Sequence, residues 1–246
     1  MSWASRPAEP MAADFPKPFT TVDLAIFAVH DGVLNVLLVQ RPDAPGEPFA
    51  GLWALPGGYV DVVRDTDLEA CARRKLREKT GVQSPYLEQL GSWGSATRDP
   101  RGWSATHVHF ALIDGGGVAL SKGANAADVG WFAVNTVLRR PRLAFDHAEI
   151  LRAAVERLRG KAEYTSLPAF LLPEPFTLPE LQQAYEVVLG RPVDKSGFRT
   201  RMLAADFLVE TGQIDRGTKR PPMGYRLKRR TGPVVFPRTF SPRNGA

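Results

Sequence analysis

A chain of 246 residues with 43% hydrophobic composition can bury one large core or two small ones. No run of about 18 apolar residues occurs, which excludes a membrane-spanning helix, and the single cysteine, Cys71, excludes an internal disulfide framework and suits a reducing cytoplasm. The net charge of +6 is uneven: residues 1–160 hold 18 Lys+Arg against 18 Asp+Glu, whereas residues 161–246 hold 14 against 8, so a neutral part precedes a basic one suited to a polyanionic partner.

Residues 1–19 lack an apolar leader segment and are expected to form a flexible tail. Residues 20–40, TTVDLAIFAVHDGVLNVLLVQ, predict a β-hairpin turning at Asp31-Gly32. A loop from Pro42 to Pro48 precedes a short strand, Leu52–Leu55, ended by Pro56-Gly57-Gly58. A helix is predicted over Asp67–Thr80, with Leu68, Cys71, Ala72 and Leu76 on one face and Gly81 as its C-cap. Leu87–Trp93, His107–Ile113 and Val129–Val134 read as strands, with a turn at Gly115-Gly116-Gly117. A helix over Asp146–Arg159 is expected to start on an Asp146/Glu149 capping box and to stop at Gly160. His107 and His109 read as solvent- or interface-facing, and His147 as a first-turn helix residue. A mixed α/β layered unit, residues 20–160, follows from this order.

The Pro-rich segment within residues 161–176 reads as a linker. Thr177 and Glu180 form a second capping box that opens a helix to about Leu189. A turn at Gly190–Val193 leads to a helix over Lys195–Thr211, capped by Asp194 and stopped by Gly212. A small basic hairpin over Lys219–Leu227 and a basic tail complete residues 177–246. Two short helices, a tight turn and a basic hairpin have the order of a winged helix-turn-helix. The candidates for DNA contact are Lys195, Ser196, Arg199, Thr200 and Arg201 on the recognition helix, and Lys219, Arg220 and Arg226 on the wing.

The stretch from Gly57 to Val82 follows the Nudix box, G-x5-E-x7-R-E-U-x-E-E-x-G-U, in which glutamates on one helix face bind Mg2+. Arg74, Leu76, Glu78, Gly81 and Val82 match it. Lys75 and Lys79 stand at two of its glutamate positions, and the preceding loop is two residues longer than the pattern. Two ammonium groups on that face repel a divalent cation and can meet phosphates directly; the plainer alternative is a pair of solvated lysines beside Glu78. No metal or cofactor is expected. The long loop, Arg98–Trp103, the Ala144-Phe145-Asp146-His147 helix start and the C-terminal pattern resemble the Nudix-related transcriptional regulators of NAD metabolism (NrtR).

That resemblance implies an α/β/α Nudix sandwich that senses ADP-ribose, fused to the winged helix-turn-helix. It implies a homodimeric, cytoplasmic repressor of NAD-biosynthesis genes on a palindromic operator. The ligand-binding candidates are Arg41, Gly57, Gly58, Arg74, Lys75, Arg77, Glu78, Arg98, Asp99 and Arg101, chosen because arginine forks bind phosphate oxygens and a nucleotide site needs backbone donors beside them. Arg74 reads first as an internal brace, Trp103 and Trp53 are candidates to stack on a base, and for Trp53 a place in the core is the plainer reading. The competing readings are an ADP-ribose pyrophosphatase with an atypical metal site and an RNA-binding Nudix protein.

Overall fold

The structure, a computed structural model, describes residues 17–81, 86–115, 120–121, 126–139, 142–217 and 220–240. Val82, the Gly116-Gly117 turn and Lys219 lie outside them. Among the described residues there are nine strands and five α-helices: β1 Phe19–His30, β2 Val33–Gln40, β3 Trp53–Ala54, β4 Gly57–Tyr59, α1 Leu68–Thr80, β5 Tyr86–Ser95, β6 Ser104–Leu112, β7 Asp128–Ala133, α2 Val134–Arg139, α3 His147–Ala162, α4 Leu178–Leu189, α5 Lys195–Ala204, β8 Leu208–Gln213 and β9 Met223–Leu227.

The first seven strands form one mixed sheet in the order β3-β2-β1-β6-β5, with β4 paired to β1 and β7 to β2. β1 and β6 run parallel, in register from Phe19↔Ser104 to Phe27↔Leu112. Alternation along β1 sends successive side chains to opposite faces. Val22, Leu24, Ile26 and Ala28 pack against Cys71, Ala72 and Leu76 of α1. Ala25 and Phe27 pack on the other side with Ile150, Leu151 and Ala154 of α3. The result is an α/β/α sandwich. The predicted α1 is present: Asp67 accepts from the Ala70 amide at its start, and Gly81 ends it at φ 69.

Several expectations change. α3 passes through Gly160 to Ala162, and Asp146 makes no side-chain cap there because Arg98 engages its carboxylate. α5 stops at Ala204, where Asp206 turns left-handed at φ 52, and the residues expected to continue it form β8. β8 pairs with β9, with a bulge between Glu210 and Gly212, so the strands of the wing are Leu208–Gln213 and Met223–Leu227 and Gly212 lies at that bulge. α2 is not among the predicted elements. His109 is buried on the sheet face that α1 covers, and His107 bonds to the Ser92 hydroxyl.

Residues 161–176, expected to link the two units, are packed. A 3-10 helix over Leu167–Leu171 has all five residues buried. Its Phe170, together with Phe176, Leu181, Tyr185 and Phe198, joins the cluster that contains α3 and one face of the large sheet. One apolar core therefore runs through both halves. The chain beyond the wing is packed as well. Phe236 and Phe240 enter an aromatic cluster with Tyr185, Phe198 and Phe207, so residues 228–240 form a strap against the core. No helix among the described residues is long and apolar enough to cross a membrane.

Candidate functional site

A cavity of about 660 Å3 opens where β1, β2, β4 and α1 meet the start of α3, inside the range of about 300–1,000 Å3 usual for small-molecule sites. It brings together Arg41, Gly57, Gly58, Arg74, Lys75, Arg98, Asp99 and Arg101 of the predicted set. Arg77 and Glu78 do not line it. Arg77 is exposed on α1, and Glu78 accepts from Arg74 Nη1 at 3.1 Å. Thr21, Asp23, Tyr59, Lys79, Phe145 and His147 also line the cavity, outside the predicted ligand set. Trp53 packs edge-on against Phe132, with ring centroids 4.5 Å apart, and Trp103 is half exposed outside the lining.

The floor is a buried charge network. Arg98 donates through Nε and Nη2 to the Asp146 carboxylate at 2.9 Å each, and its Nη2 stands 3.8 Å from Asp23 Oδ2. His147 Nδ1 accepts from the Leu55 amide at 2.9 Å, which leaves Nε2 facing Asp23 Oδ2 at 3.5 Å. Burial alone would raise the Asp23 carboxyl, but His147 and Arg98 outweigh it and hold it below the ordinary range. The Gly57 backbone closes over this network so tightly that a Cβ there would lie 1.9 Å from Asp23 Oδ1. A side chain at Gly57 would therefore collide with the carboxylate.

Phe145 occupies the left-handed region at φ 55, a strained setting of order 1 kcal/mol or more for a non-glycine residue. Its ring packs on Phe49 at 4.6 Å, and the Arg41 guanidinium lies 4.8 Å over its face. Arg41 is further fixed by Glu47 and by the Pro48 carbonyl at 2.7 Å. Arg101 is held by Asp99, at 3.0 and 2.8 Å, and its guanidinium lies 5.8 Å from the Tyr59 ring centre. These aromatic and carboxylate supports pre-set the rim arginines.

On α1 the box arginine acts as a brace. Arg74 Nε and Nη2 donate to the two Asp65 oxygens at 2.7 and 2.6 Å. That hydrogen bonding holds Asp65 well below the usual carboxylate range. The sign follows directly: a depressed folded pKa gives stability that is present above the unfolded value of about 3.9 and is lost as pH falls from there through the folded value. Urea midpoints of the wild type should therefore drop below about pH 4, and Asp65→Asn should flatten part of that drop. An unchanged pH profile in Asp65→Asn would remove this pair from the account. Cys71 lies beside Arg74, its thiol pushed up to about 11 by burial, and serves as packing.

Lys75 and Lys79 sit one turn apart and both line the cavity; Lys75 Nζ would lie 2.9 Å from a Cβ placed on Gly58. Burial lowers the Lys79 ammonium pKa, with Glu78 opposing and Lys75 reinforcing. This donor set does not fit a divalent cation. The cavity-facing positions of the box carry ammonium groups, and Arg74 engages both Asp65 and Glu78. Among the described residues no group of three or more His, Cys, Asp and Glu side chains is placed to hold a metal. Two cations beside the side-chain-free Gly57-Gly58 backbone suit an anionic ligand such as a diphosphate.

The second site is the exposed face of α5 and the wing. Asp194 accepts from the Gly197 amide at 2.6 Å and starts α5. Lys195, Ser196, Arg199 and Thr200 are exposed, while Phe198 and Met202 are buried beneath. Arg220 and Arg226 are exposed on the wing side. Arg201 departs from this surface. Its Nη2 donates to the Thr239 carbonyl at 2.9 Å and its guanidinium lies 4.0 Å over the Phe240 ring, because the strap passes beneath it.

Comparison with known proteins follows the same division. Residues 18–154 match the NUDIX domain family, and residues 168–227 match the NrtR DNA-binding winged helix domain. The chain is 45% identical over 231 residues to the ADPR responsive transcriptional repressor NtrR of Acinetobacter baylyi, covering 94% of this chain and 90% of that protein. It is similar to the crystal structure of Shewanella oneidensis NrtR complexed with a 27mer DNA, at 44% identity and TM-score 0.80, covering 90% of this chain and 99% of that one. The NUDIX domain of the same protein complexed with ADP ribose matches at 44% identity and TM-score 0.53, covering 61% and 93%. The chain belongs to the NrtR family, in which a NUDIX domain precedes an NrtR DNA-binding winged helix domain.

Proposed function

We propose that the chain is a transcriptional repressor of NAD-biosynthesis and salvage genes whose Nudix cavity binds ADP-ribose or a related nucleotide, without hydrolysing it, and which leaves DNA when that cavity fills. The observation that carries this reading is the pairing of two sites on one core. Lys75 and Lys79 face a nucleotide-sized cavity where metal-binding carboxylates are expected, and a basic helix and wing face outward from the same packed unit. The names of the Acinetobacter and Shewanella relatives support it. Ligand sensing is assigned to residues 20–160 and DNA reading to residues 177–246. A two-fold dimer would place two α5 helices on palindromic half-sites about one DNA turn apart. Release requires the nucleotide to prefer the arrangement that binds DNA less well.

The test is binding of the full chain to a duplex from its own promoter region, with and without ADP-ribose, across a salt series. Arg199→Ala should cost about 1–3 kcal/mol on the specific duplex and relax its sequence preference. Arg226→Ala should weaken specific and random duplexes alike and flatten the log–log salt slope by about 0.9. The reading fails if ADP-ribose leaves the wild-type complex intact. The recognition surface is misplaced if neither substitution changes binding while the fold persists.

A further inference from the structure

The strap forms a second connection between the cavity and the recognition helix. α3 begins in the cavity network, with Asp146 on Arg98 and His147 facing Asp23. It then runs 16 residues, about 24 Å, to Ala162. The turn that follows is clasped by the strap. The Ser166 amide donates to the Val234 carbonyl at 2.9 Å, the Phe236 amide to Tyr164 at 2.7 Å, and the Phe240 amide to Glu163 at 2.9 Å. Glu163 also receives Arg191, from the turn that leads into α5, at 2.8 and 2.9 Å. At its end the strap reaches α5 itself: the Phe240 ring stacks on Phe198 at 5.9 Å and packs at a tilt on Tyr185 of α4 at 5.1 Å, beneath the Arg201 guanidinium.

We propose that Phe240 is a positioning residue for ligand-linked DNA release, holding α5 to the end of α3 so that a shift of α3 at the cavity moves the recognition helix. This rests on the ADP-ribose-dependent release proposed above. Without the ring, α5 keeps its packing on α4 and the wing through Phe198 and Met202, and the polar links Arg191–Glu163 and Arg201–Thr239 remain, but it loses the packed contact that ties it to the strap and through the strap to the Glu163–Ser166 turn. A packed rod with two settings transmits a shift that a loose one absorbs.

The experiment measures DNA affinity of the full chain with and without saturating ADP-ribose, alongside ADP-ribose affinity by calorimetry, in wild type, Phe240→Ala, Phe240→Leu and Phe240→Tyr. Coupling factors in such systems are typically about 5–150-fold. Phe240→Ala and Phe240→Leu should reduce the factor to under about twofold, with ADP-ribose affinity within about threefold of wild type, and Phe240→Tyr should restore it. A merely structural role would move melting temperature and leave the factor alone. If Phe240→Ala does not fold, Phe240→Leu decides. A wild-type factor retained in the folded variants overturns the strap's role and leaves the repressor reading standing. A wild type with no factor at all overturns both.

Discussion

Arg98→Ala is expected to lower the free energy of unfolding by about 3–5 kcal/mol at neutral pH, the usual cost of removing one partner from a buried ion pair. The guanidinium is nearly inaccessible to water and is shared between Asp146 and Asp23, with Ser104 Oγ 3.3 Å from Nη1. Removing it leaves Asp23 buried with His147 and the Thr106 hydroxyl in reach but no guanidinium to balance its charge. A loss of that size is a large share of the roughly 5–15 kcal/mol that holds a domain folded. Protonating the stranded carboxylate should relieve the deficit, so the gap to wild type narrows as pH falls below about 4. Chemical denaturation at pH 7 and pH 3.5 measures both effects. A deficit under about 1 kcal/mol at pH 7 would mean that Arg98 is a free phosphate ligand and no brace.

Reversing both helix lysines should do the opposite, sparing the fold and removing the ligand. Each charge-assisted hydrogen bond to a phosphate is worth about 1.5–3 kcal/mol. Lys75→Glu with Lys79→Glu should therefore weaken ADP-ribose binding in metal-free buffer by about 100-fold or more, read by calorimetry. An affinity within threefold of wild type would show that the diphosphate lies elsewhere, on Arg41 or Arg101. The same lysines account for the proposed lack of turnover. Wild type incubated with ADP-ribose and Mg2+ should release AMP far below ordinary enzyme rates of about 1–1000 per second, and turnover in that range would favour the pyrophosphatase reading.

The sandwich was legible because its signals are local. The spacing of Leu68, Cys71, Ala72 and Leu76 marks α1, and Gly81 supplies the left-handed cap. β8 is hidden in the sequence because Ala205 and Leu208 continue the helical spacing of Phe198 and Met202, while the break depends on Asp206 adopting φ 52, which aspartate tolerates but does not announce. The cations of the cavity could be found because arginines and lysines cluster near strand ends and on the box helix. Apart from the Arg74 brace, their roles could not. Arg98 and Arg201 are drawn off by Asp146 and Phe240, 48 and 39 positions away, and no local pattern records such a pairing. Asp23 did leave a trace, as the lone carboxylate in the apolar run TTVDLAIFAV, which asks for a buried partner.

The apolar core that runs unbroken from the sheet through Phe170 and Phe176 to Tyr185 and Phe198 bears on how such a chain can be rebuilt. A gene fusion cut between residues 160 and 177 would hand each new partner one side of a shared interior, with Tyr185 and Phe170 facing solvent until a matching surface was found. Sensor and reader are in this sense a single inheritance. Grafting the winged helix onto another receptor would require transplanting the face of α3 that it rests on.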